Sequence, residues 1–258
     1  MTDVCVFDEV LAPVPRYMMR LECVQRLLDS TSSDVHRFLE LGPGLGDVTA
    51  HALRRYPDAS GTVFEFSEDA VGRLKARFRG EERLSLWSRN FLEGPLEGGF
   101  DLIMAFEVLE HIEDDLLAFE RIYLMLERGG VFLMSVPAYM SKWQKGDEWA
   151  GHYRRYEREE LVEKLVATGF KVEEVWGYGF PVTSLLYPLR QLYYRASAKA
   201  GEPTEKIRAT KQSGVARPYQ KPGAAAWMAR LMKPLFLLQH VARKSDLGDG
   251  WIVLAKKA

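Results

Sequence analysis

The sequence contains little cysteine, no long apolar run and almost no net charge. Cys5 and Cys23 are its two cysteines, and they form no CxxC pair or other cluster of metal-ligand spacing. They therefore predict neither a disulfide framework nor a metal site. The absence of an apolar run of about 18 residues argues against a transmembrane segment. A net charge of -1 argues against a generic nucleic-acid binder.

The first residues also lack the features of an export signal. Met1–Cys5 is acidic, and neither a basic start nor an apolar core follows it. With so few cysteines, this predicts a cytoplasmic, reducing location. A length of 258 residues suits one α/β domain with an elaboration, and is enough to bury a sizeable core.

The near-neutral total conceals an uneven distribution of charge. Residues 179–249 contain twelve Lys and Arg residues against four Asp and Glu residues. This segment therefore carries a net charge of +8, and the remainder of the chain carries -9. Such an asymmetry predicts that the basic segment has its own role, distinct from that of the domain around it.

An apolar run that ends in three closely spaced glycines marks a predicted ligand-binding loop. Residues 38–46 read Phe-Leu-Glu-Leu-Gly-Pro-Gly-Leu-Gly, a pattern typical of a buried strand that turns sharply into a helix. The N-terminus of such a helix favours a polar or anionic ligand. The spacing of Gly42, Gly44 and Gly46 differs from the G-x-G-x-x-G of dinucleotide folds, and no Gly-Lys-Ser/Thr of a P-loop occurs.

A helix is predicted over about residues 158–168. Before it, strand and helix patterns alternate through residues 35–136, and the apolar run of residues 100–106 is the fourth predicted strand. This alternation predicts right-handed crossovers and a parallel sheet. Ligands of such sheets bind beyond the C-terminal ends of the strands. There the glycine loop would meet three polar residues that follow other predicted strands, namely Glu65, Asn90 and Glu107.

Two motifs resemble those of class I S-adenosylmethionine (SAM) methyltransferases. Glu40-x-Gly-x-Gly-x-Gly46 resembles their first motif, and the segment from Asp101 to His111 (Asp-x-Ile-x-x-x-Glu-Val-Leu-Glu-His) resembles the stretch after their fourth strand in enzymes of ubiquinone biosynthesis and sugar methylation. The resemblance covers about residues 35–176 and the final strand. It implies an α/β, Rossmann-like doubly wound sheet of seven strands with the last one antiparallel, and SAM as the cofactor.

The resemblance also implies roles for individual residues around SAM. Glu65 would accept hydrogen bonds from the ribose hydroxyls, and Asn90 stands where the family often has an acid near the adenine. Phe91 would cover the adenine face, while Tyr17 either closes over SAM from the N-terminal helix or simply packs. The complete predicted cofactor set is Glu40, Gly42, Gly44, Gly46, Glu65, Phe66, Asn90, Phe91, Phe106, Glu107 and Tyr17.

A loop dense in aromatic residues and hydrogen-bond donors, residues 137–156, follows the fifth predicted strand. Because loops at this edge of the sheet carry substrate chemistry, it supplies the predicted substrate contacts Tyr139, Trp143, Trp149, Tyr153, Arg154 and Tyr156. Its end, residues 151–156, resembles a Gly-His-x-Arg-x-Tyr stretch of related enzymes; the alternative is a tight loop pinned by arginine. His152 is the first candidate for a general base and His111 the second, although His111 could be purely structural.

The remaining segments give the predicted domain organisation. Residues 1–34 form an N-terminal helical cap, residues 35–178 and 250–258 form the methyltransferase domain, and residues 179–249 form a helical basic insertion between strands six and seven. Within it, residues 185–194 and 227–241 are predicted helices, and the polar, basic residues 201–223 are the predicted linker between them. The insertion is a predicted lid, and peripheral contact with a membrane is a further hypothesis for it. The alternative is a passive cap or homodimer interface that buries Leu185, Leu186, Trp227, Leu231 and Phe236.

The combined evidence predicts methyl transfer from SAM to an oxygen or nitrogen of a small-molecule or carrier- or lipid-linked acceptor. The rival interpretation is a non-catalytic SAM-fold subunit that binds a partner through residues 179–249. A dinucleotide-dependent reductase is weaker because of the glycine spacing. Amino-methylation of nucleic acid is disfavoured because residues 105–108 read Ala-Phe-Glu-Val, where those enzymes carry [Asn/Asp]-Pro-Pro-[Tyr/Phe].

Overall fold

The computed structural model describes residues 14–31, 34–88, 90–93, 98–186 and 224–258. Within them, seven strands form one mixed sheet in the order β3-β2-β1-β4-β5-β7-β6. The strands are β1 (Arg37–Leu41), β2 (Ser60–Phe64), β3 (Leu84–Trp87), β4 (Phe100–Phe106), β5 (Leu126–Pro137), β6 (Phe170–Tyr178) and β7 (Gly250–Lys257). Helices that connect or flank them are α1 (Pro15–Ser30), α2 (Asp47–Arg55), α3 (Glu68–Arg77), α4 (Asp115–Met125), α5 (Lys145–Ala150), α6 (Arg158–Ala167) and α7 (Ala224–Ala242).

The pairing of the strands confirms the predicted doubly wound sheet. β1 pairs in parallel with both β2 and β4, and β4 pairs in parallel with β5. β7 inserts between β5 and β6 and runs antiparallel to both. The strand order reverses direction next to β1, so the loops after β1 and β4 open a crevice at the C-terminal edge of the sheet.

The sheet is covered on both faces, as its near-continuous apolar strands require. Alternate residues of β4 point to opposite faces: Leu102 and Met104 join a core that includes α1, α2 and α7, while Ile103 and Ala105 join one that includes α4 and α6. All four side chains are fully buried. These two cores fix the strand ends around the crevice.

Helix α7 packs on α1 through one side of its length. Met232, Phe236 and Gln239 are buried there, and the Gln239 carboxamide accepts a hydrogen bond from Gly179 N at 2.7 Å and donates one to Met19 O at 2.8 Å. Of the five apolar residues that the cap interpretation buries, Phe236 alone is buried. The others are 40–71% exposed, since they lie on the opposite side of α7 or in the helical stretch 182–186: Leu185, Leu186, Trp227 and Leu231.

The predicted linker, residues 201–223, lies outside the described residues, as does the predicted helix 185–194 beyond Leu186. No helix of the described ranges is both long enough and apolar enough to cross a membrane.

Replacing Gln239 by alanine tests whether α7 is firmly docked on α1. The change would leave the buried Gly179 N–H without its acceptor and open a gap between the helices, so we expect the free energy of unfolding to fall by about 2–3 kcal/mol. Leu237→Ala, at a 63% exposed position of the same helix, should change it by less than about 0.5 kcal/mol. Equal effects of the two variants in urea titrations would show that α7 is not docked.

Candidate active site

A cleft of about 280 Å³ opens where β1 and β4 end, beneath the first turns of α1. Its lining combines the glycine loop, the start of α1, the turn after β4 and the end of the loop that contains α5. Eight of the predicted cofactor and catalytic residues line it together: Tyr17, Glu40, Gly42, Gly44, Phe106, Glu107, His111 and His152. Two predictions made from separate parts of the chain therefore meet in one space.

The glycine loop has the left-handed backbone that its sequence predicts. Gly42, Gly44 and Gly46 have φ values of 60°, 58° and 77°, a region that residues with a Cβ rarely adopt. A Cβ on Gly42 would stand 2.8 Å from Val108, whereas one on Gly46 would stand 2.7 Å from Phe78 on the far side of the loop. Packing therefore requires glycine at both Gly42 and Gly46, and Gly42 and Gly44 also line the cleft.

Glu65 follows β2 directly and is tied to the glycine loop. Its carboxylate accepts hydrogen bonds from Gly44 N at 3.3 Å and from Ser67 N at 2.8 Å. Burial raises the pKa of Glu65, and the two backbone N–H groups oppose that rise. Glu65 is 9% exposed. Its carboxylate is therefore a hydrogen-bond acceptor that is held in place beside the glycine loop.

Glu40 lies at the floor of the cleft and is 3% exposed. Its carboxylate accepts a hydrogen bond from Thr49 Oγ1 of α2. Burial raises the pKa of Glu40 to about 7, because the hydrogen bond from Thr49 offsets only part of the cost of desolvation. A large fraction of the Glu40 side chains is therefore protonated near neutral pH when the cleft contains no ligand.

Glu40→Gln should remove a pH dependence of stability. Because the pKa of Glu40 is raised from 4.5 to about 7 on folding, the folded chain holds this proton more tightly, and the free energy of unfolding falls as pH rises through that interval. At about 1.4 kcal/mol per unit, the loss by pH 8 is at most about 3 kcal/mol. Urea titrations from pH 5 to 8 should show this loss in the wild type and in the exposed-site control Glu120→Gln. Parallel profiles for the wild type and Glu40→Gln would contradict it.

Glu107 adopts a strained backbone at the end of β4, with a φ of 57°. Its carboxylate accepts hydrogen bonds from Arg16 Nη1 at 3.0 Å, Ser135 Oγ at 3.0 Å and Tyr178 Oη at 2.8 Å. Burial alone would raise the pKa of Glu107, but the charges of Arg16 and Arg20 outweigh it and hold that pKa well below its usual range. Glu107 is therefore an anion that anchors the two arginines of α1 over the cleft.

Two histidines and a buried carboxyl also line the cleft, namely His111, His152 and Glu110. The rings of His111 and His152 meet edge to face with their centroids 4.7 Å apart. Burial, and then the neighbouring His152, lower the pKa of His111 to about 3, so its ring is neutral. Glu110 is fully buried, and burial followed by the charge of Glu107 raises its pKa well above the usual range. Glu110 Oε1 lies 3.9 Å from His152 Nε2.

Unpartnered polar atoms show that the cleft suits a polar ligand. Among the described residues, Arg20 Nε and both carboxyl oxygens of Glu110 are buried without a hydrogen-bond partner, and both side chains line the cleft. Buried groups of this kind are costly unless a ligand satisfies them. Potential ligand atoms of Glu110, His111 and His152 also lie within 4.8 Å of one another. These distances would admit a divalent cation. The sequence analysis did not predict this group, because its search for metal ligands considered only the spacing of residues along the chain.

The predicted substrate residues lie outside the lining of this cleft, and most are engaged elsewhere. Tyr139 Oη donates to Asp246 O at 3.1 Å, and Arg154 Nη1 lies 2.9 Å from Asp115. Tyr156 is fully buried and donates to Asp115 at 2.9 Å. The Tyr156 ring is part of the core, so packing explains its position without a substrate. Substrate contacts remain predictions for all six residues: Tyr139, Trp143, Trp149, Tyr153, Arg154 and Tyr156.

Five predicted cofactor residues lie outside the cleft lining. Gly46 and Glu65 belong to the glycine loop or bind it, and the other three are Phe66, Asn90 and Phe91. The Asn90 carboxamide is bound within its own turn, where it donates to Glu93 at 3.0 Å and accepts from Leu92 N at 3.1 Å. Phe91 is 8% exposed and packs in the core. Core packing alone therefore accounts for an apolar residue at this position. Phe66 is 42% exposed beside Glu65. Contacts of these residues with an adenine remain predictions.

Comparisons with known proteins agree with the fold. A family described as "Methyltransferase domain" matches residues 14–175. A probable S-adenosylmethionine-dependent methyltransferase of Mycolicibacterium smegmatis is 30% identical over 145 residues, a match that spans 54% of this chain and only 53% of the relative.

Solved structures share the fold at low sequence identity. Phosphoethanolamine N-methyltransferase 2 of Haemonchus contortus, in complex with SAM, superposes with a TM-score of 0.58 at 18% identity over 99% of this chain and 57% of its own. The [4+2]-cyclase SpnF superposes with a TM-score of 0.55 at 18% identity over 92% and 81%. At these identities the likeness shows the fold alone. Since the family match covers well over half of the sequence, the chain belongs to the methyltransferase-domain family of SAM-dependent enzymes.

Proposed function

We propose that this chain transfers a methyl group from SAM to an oxygen or nitrogen of its acceptor, with His152 as the general base. The observation that carries the proposal is the common cleft, because it brings the glycine loop and His152 into one space. Glu65 would hold the ribose hydroxyls, and the loop at Gly42 and Gly44 would receive the amino-acid end. The free Nε of Arg20 suits its carboxylate.

When bound, SAM supplies an electrophilic methyl group on its sulfonium sulfur. The rest of the molecule then leaves as a neutral thioether. The chain's own contribution is alignment, exclusion of water and removal of one proton. Alignment of reacting groups can supply about 7–11 kcal/mol. His152 Nε2 would take the proton that the acceptor loses as its bond to the methyl carbon forms.

The basic insertion supports an acceptor larger than a simple metabolite. Trp227, Leu231 and Val241 expose apolar surface on α7, and Arg230 and Lys233 lie on the same helix. Such a helix suits contact with a lipid- or carrier-linked acceptor near an anionic surface. The acceptor class and the peripheral contact are therefore parts of the proposal.

A screen with methyl-labelled SAM tests the proposed function. Pools of small phenols, amines, carrier-linked substrates and lipid-linked substrates should reveal at least one that takes up label, with release of S-adenosylhomocysteine. Reactions of the same pools with the Gly44→Val variant are the negative control. SAM binding without any transfer would favour the non-catalytic subunit, and absence of SAM binding would refute both.

A further inference from the structure

The side chain of Asp147 makes four hydrogen bonds beside the proposed base. Its Oδ1 accepts from Arg155 Nε at 2.9 Å and lies 3.0 Å from His152 Nδ1. Its Oδ2 accepts from Arg155 Nη2 at 3.0 Å and from Gln144 N at 2.8 Å. Asp147 is 2% exposed and Arg155 is 4% exposed. This is a rigid carboxylate rather than a solvated surface acid.

The local sequence explains why Asp147 points inward. Asp147 is the third residue of α5, and together with Gln144 it forms a capping box at the start of that helix. Gly151 then ends the helix in the left-handed conformation and returns the chain, so that His152 N donates to Asp147 O at 3.0 Å. The backbone thus places the imidazole of His152 directly against the carboxylate.

A carboxylate in hydrogen-bond reach of one imidazole nitrogen fixes the tautomer of the ring. Arg155 Nε donates to Oδ1 of Asp147, while Arg155 Nη2 and Gln144 N donate to Oδ2, so this arrangement suits the ionised carboxylate. An ionised Asp147 can only accept, so the proton of a neutral His152 must sit on Nδ1. The lone pair is then on Nε2, which is the nitrogen nearer Glu110 in the cleft.

We propose that Asp147 is a positioning residue for methyl transfer: held by Arg155, it fixes His152 in the Nδ1–H tautomer and turns the basic Nε2 toward the acceptor. This inference rests on the proposed role of His152 as the base. As the acceptor O–H or N–H gives its proton to Nε2, the ring becomes an imidazolium that Asp147 stabilises, and no proton passes to Asp147. The new bond from the acceptor to the methyl carbon forms as the carbon–sulfur bond of SAM breaks, and the electron pair stays on the sulfur of S-adenosylhomocysteine. The methylated acceptor leaves, and His152 then releases the proton to water.

The tautomer can be measured without knowing the acceptor. Long-range proton–nitrogen NMR of the uniformly ¹⁵N-labelled chain, dialysed against EDTA, resolves the ring nitrogens of its five histidines, and His152→Gln assigns the relevant signal. We expect Nδ1–H in the wild type and Nε2–H, the tautomer favoured in water, in Asp147→Asn. The matched control is Asp115→Asn, another buried carboxylate, which binds Arg154, Lys164 and Tyr156 but no histidine; it should leave the His152 signal unchanged.

The wild-type spectrum decides the inference even if Asp147→Asn does not fold, because Nε2–H in the wild type would overturn it. An Nδ1–H signal that appears only when Zn²⁺ is added back would also overturn it, since it would make His152 a metal ligand.

The link to turnover is tested with the pool that takes up label. Asp147→Asn should lower transfer at least tenfold, and should lower it no further when His152 is already alanine. Equal losses in both backgrounds would reduce Asp147 to a structural residue. If the wild type transfers no label at all, the proposed function fails while the NMR result still stands.

Discussion

Gly44→Val is expected to weaken SAM binding at least a hundredfold while the chain stays folded. The backbone at Gly44 has a φ of 58°, which a β-branched residue adopts only with strain, and the added side chain would occupy the cleft that Gly44 lines. Its N–H also donates to Glu65, so a displaced loop would lose the proposed ribose acceptor as well. Isothermal titration of SAM into the purified variant measures the loss.

Gly72→Val is the matched control for this experiment. Gly72 lies in α3, and a Cβ there would meet no atom within 4 Å. The control should bind SAM as the wild type does. If Gly44→Val fails to fold, Glu65→Ala replaces it with an expected loss of about tenfold to a hundredfold, from hydrogen bonds to a charged acceptor. Wild-type affinity in either folded variant would contradict the assigned cofactor site.

His152→Ala is expected to lower the rate of methyl transfer by about 10²–10⁴, the usual contribution of a general base. SAM affinity should remain within about threefold of the wild type, because the side chain of His152 contacts Asp147, Glu110 and His111 rather than the glycine loop or Glu65. The measurement is kcat with the labelled acceptor pool, alongside a SAM titration of the same preparation. A loss confined to kcat identifies a group that acts in the transition state.

His111→Ala separates the two candidate bases. The His111 ring is neutral and packed edge to face against His152. We expect its removal to lower kcat less than the removal of His152, through the loss of that packing. A larger loss for His111→Ala would reverse the roles, and near-normal rates for both variants would mean that transfer proceeds by positioning alone.

The sequence predicted the sheet well because its strands and glycine loop have strong local signals. β4 was predicted at its observed bounds, residues 100–106, since a parallel strand covered on both faces is apolar throughout. The predicted helix 158–168 ends one residue later than α6, before a glycine. Glu65 lies one residue beyond β2 and binds the glycine loop. This position was predictable because β1 and β2 are neighbouring parallel strands, whose C-terminal ends meet at the same edge of the sheet.

Side-chain partners were predicted less well, because they depend on contacts between distant parts of the chain. Arg154 and Tyr156 have the chemistry of substrate contacts, but Asp115, about 40 residues earlier, binds both. Helix α5 was missed because it has six residues and lies in a stretch that otherwise resembles a loop. The pairing of Asp147 with His152 was missed with it.

The structure of a complex with S-adenosylhomocysteine tests the central claim most directly. We predict that its ribose hydroxyls lie within hydrogen-bond distance of the Glu65 carboxylate and its amino-acid end against the loop at Gly42 and Gly44. Its sulfur should face the part of the cleft that His111 and His152 line. A ligand bound away from Glu65 and the glycine loop, or with its sulfur turned away from both histidines, would contradict the account.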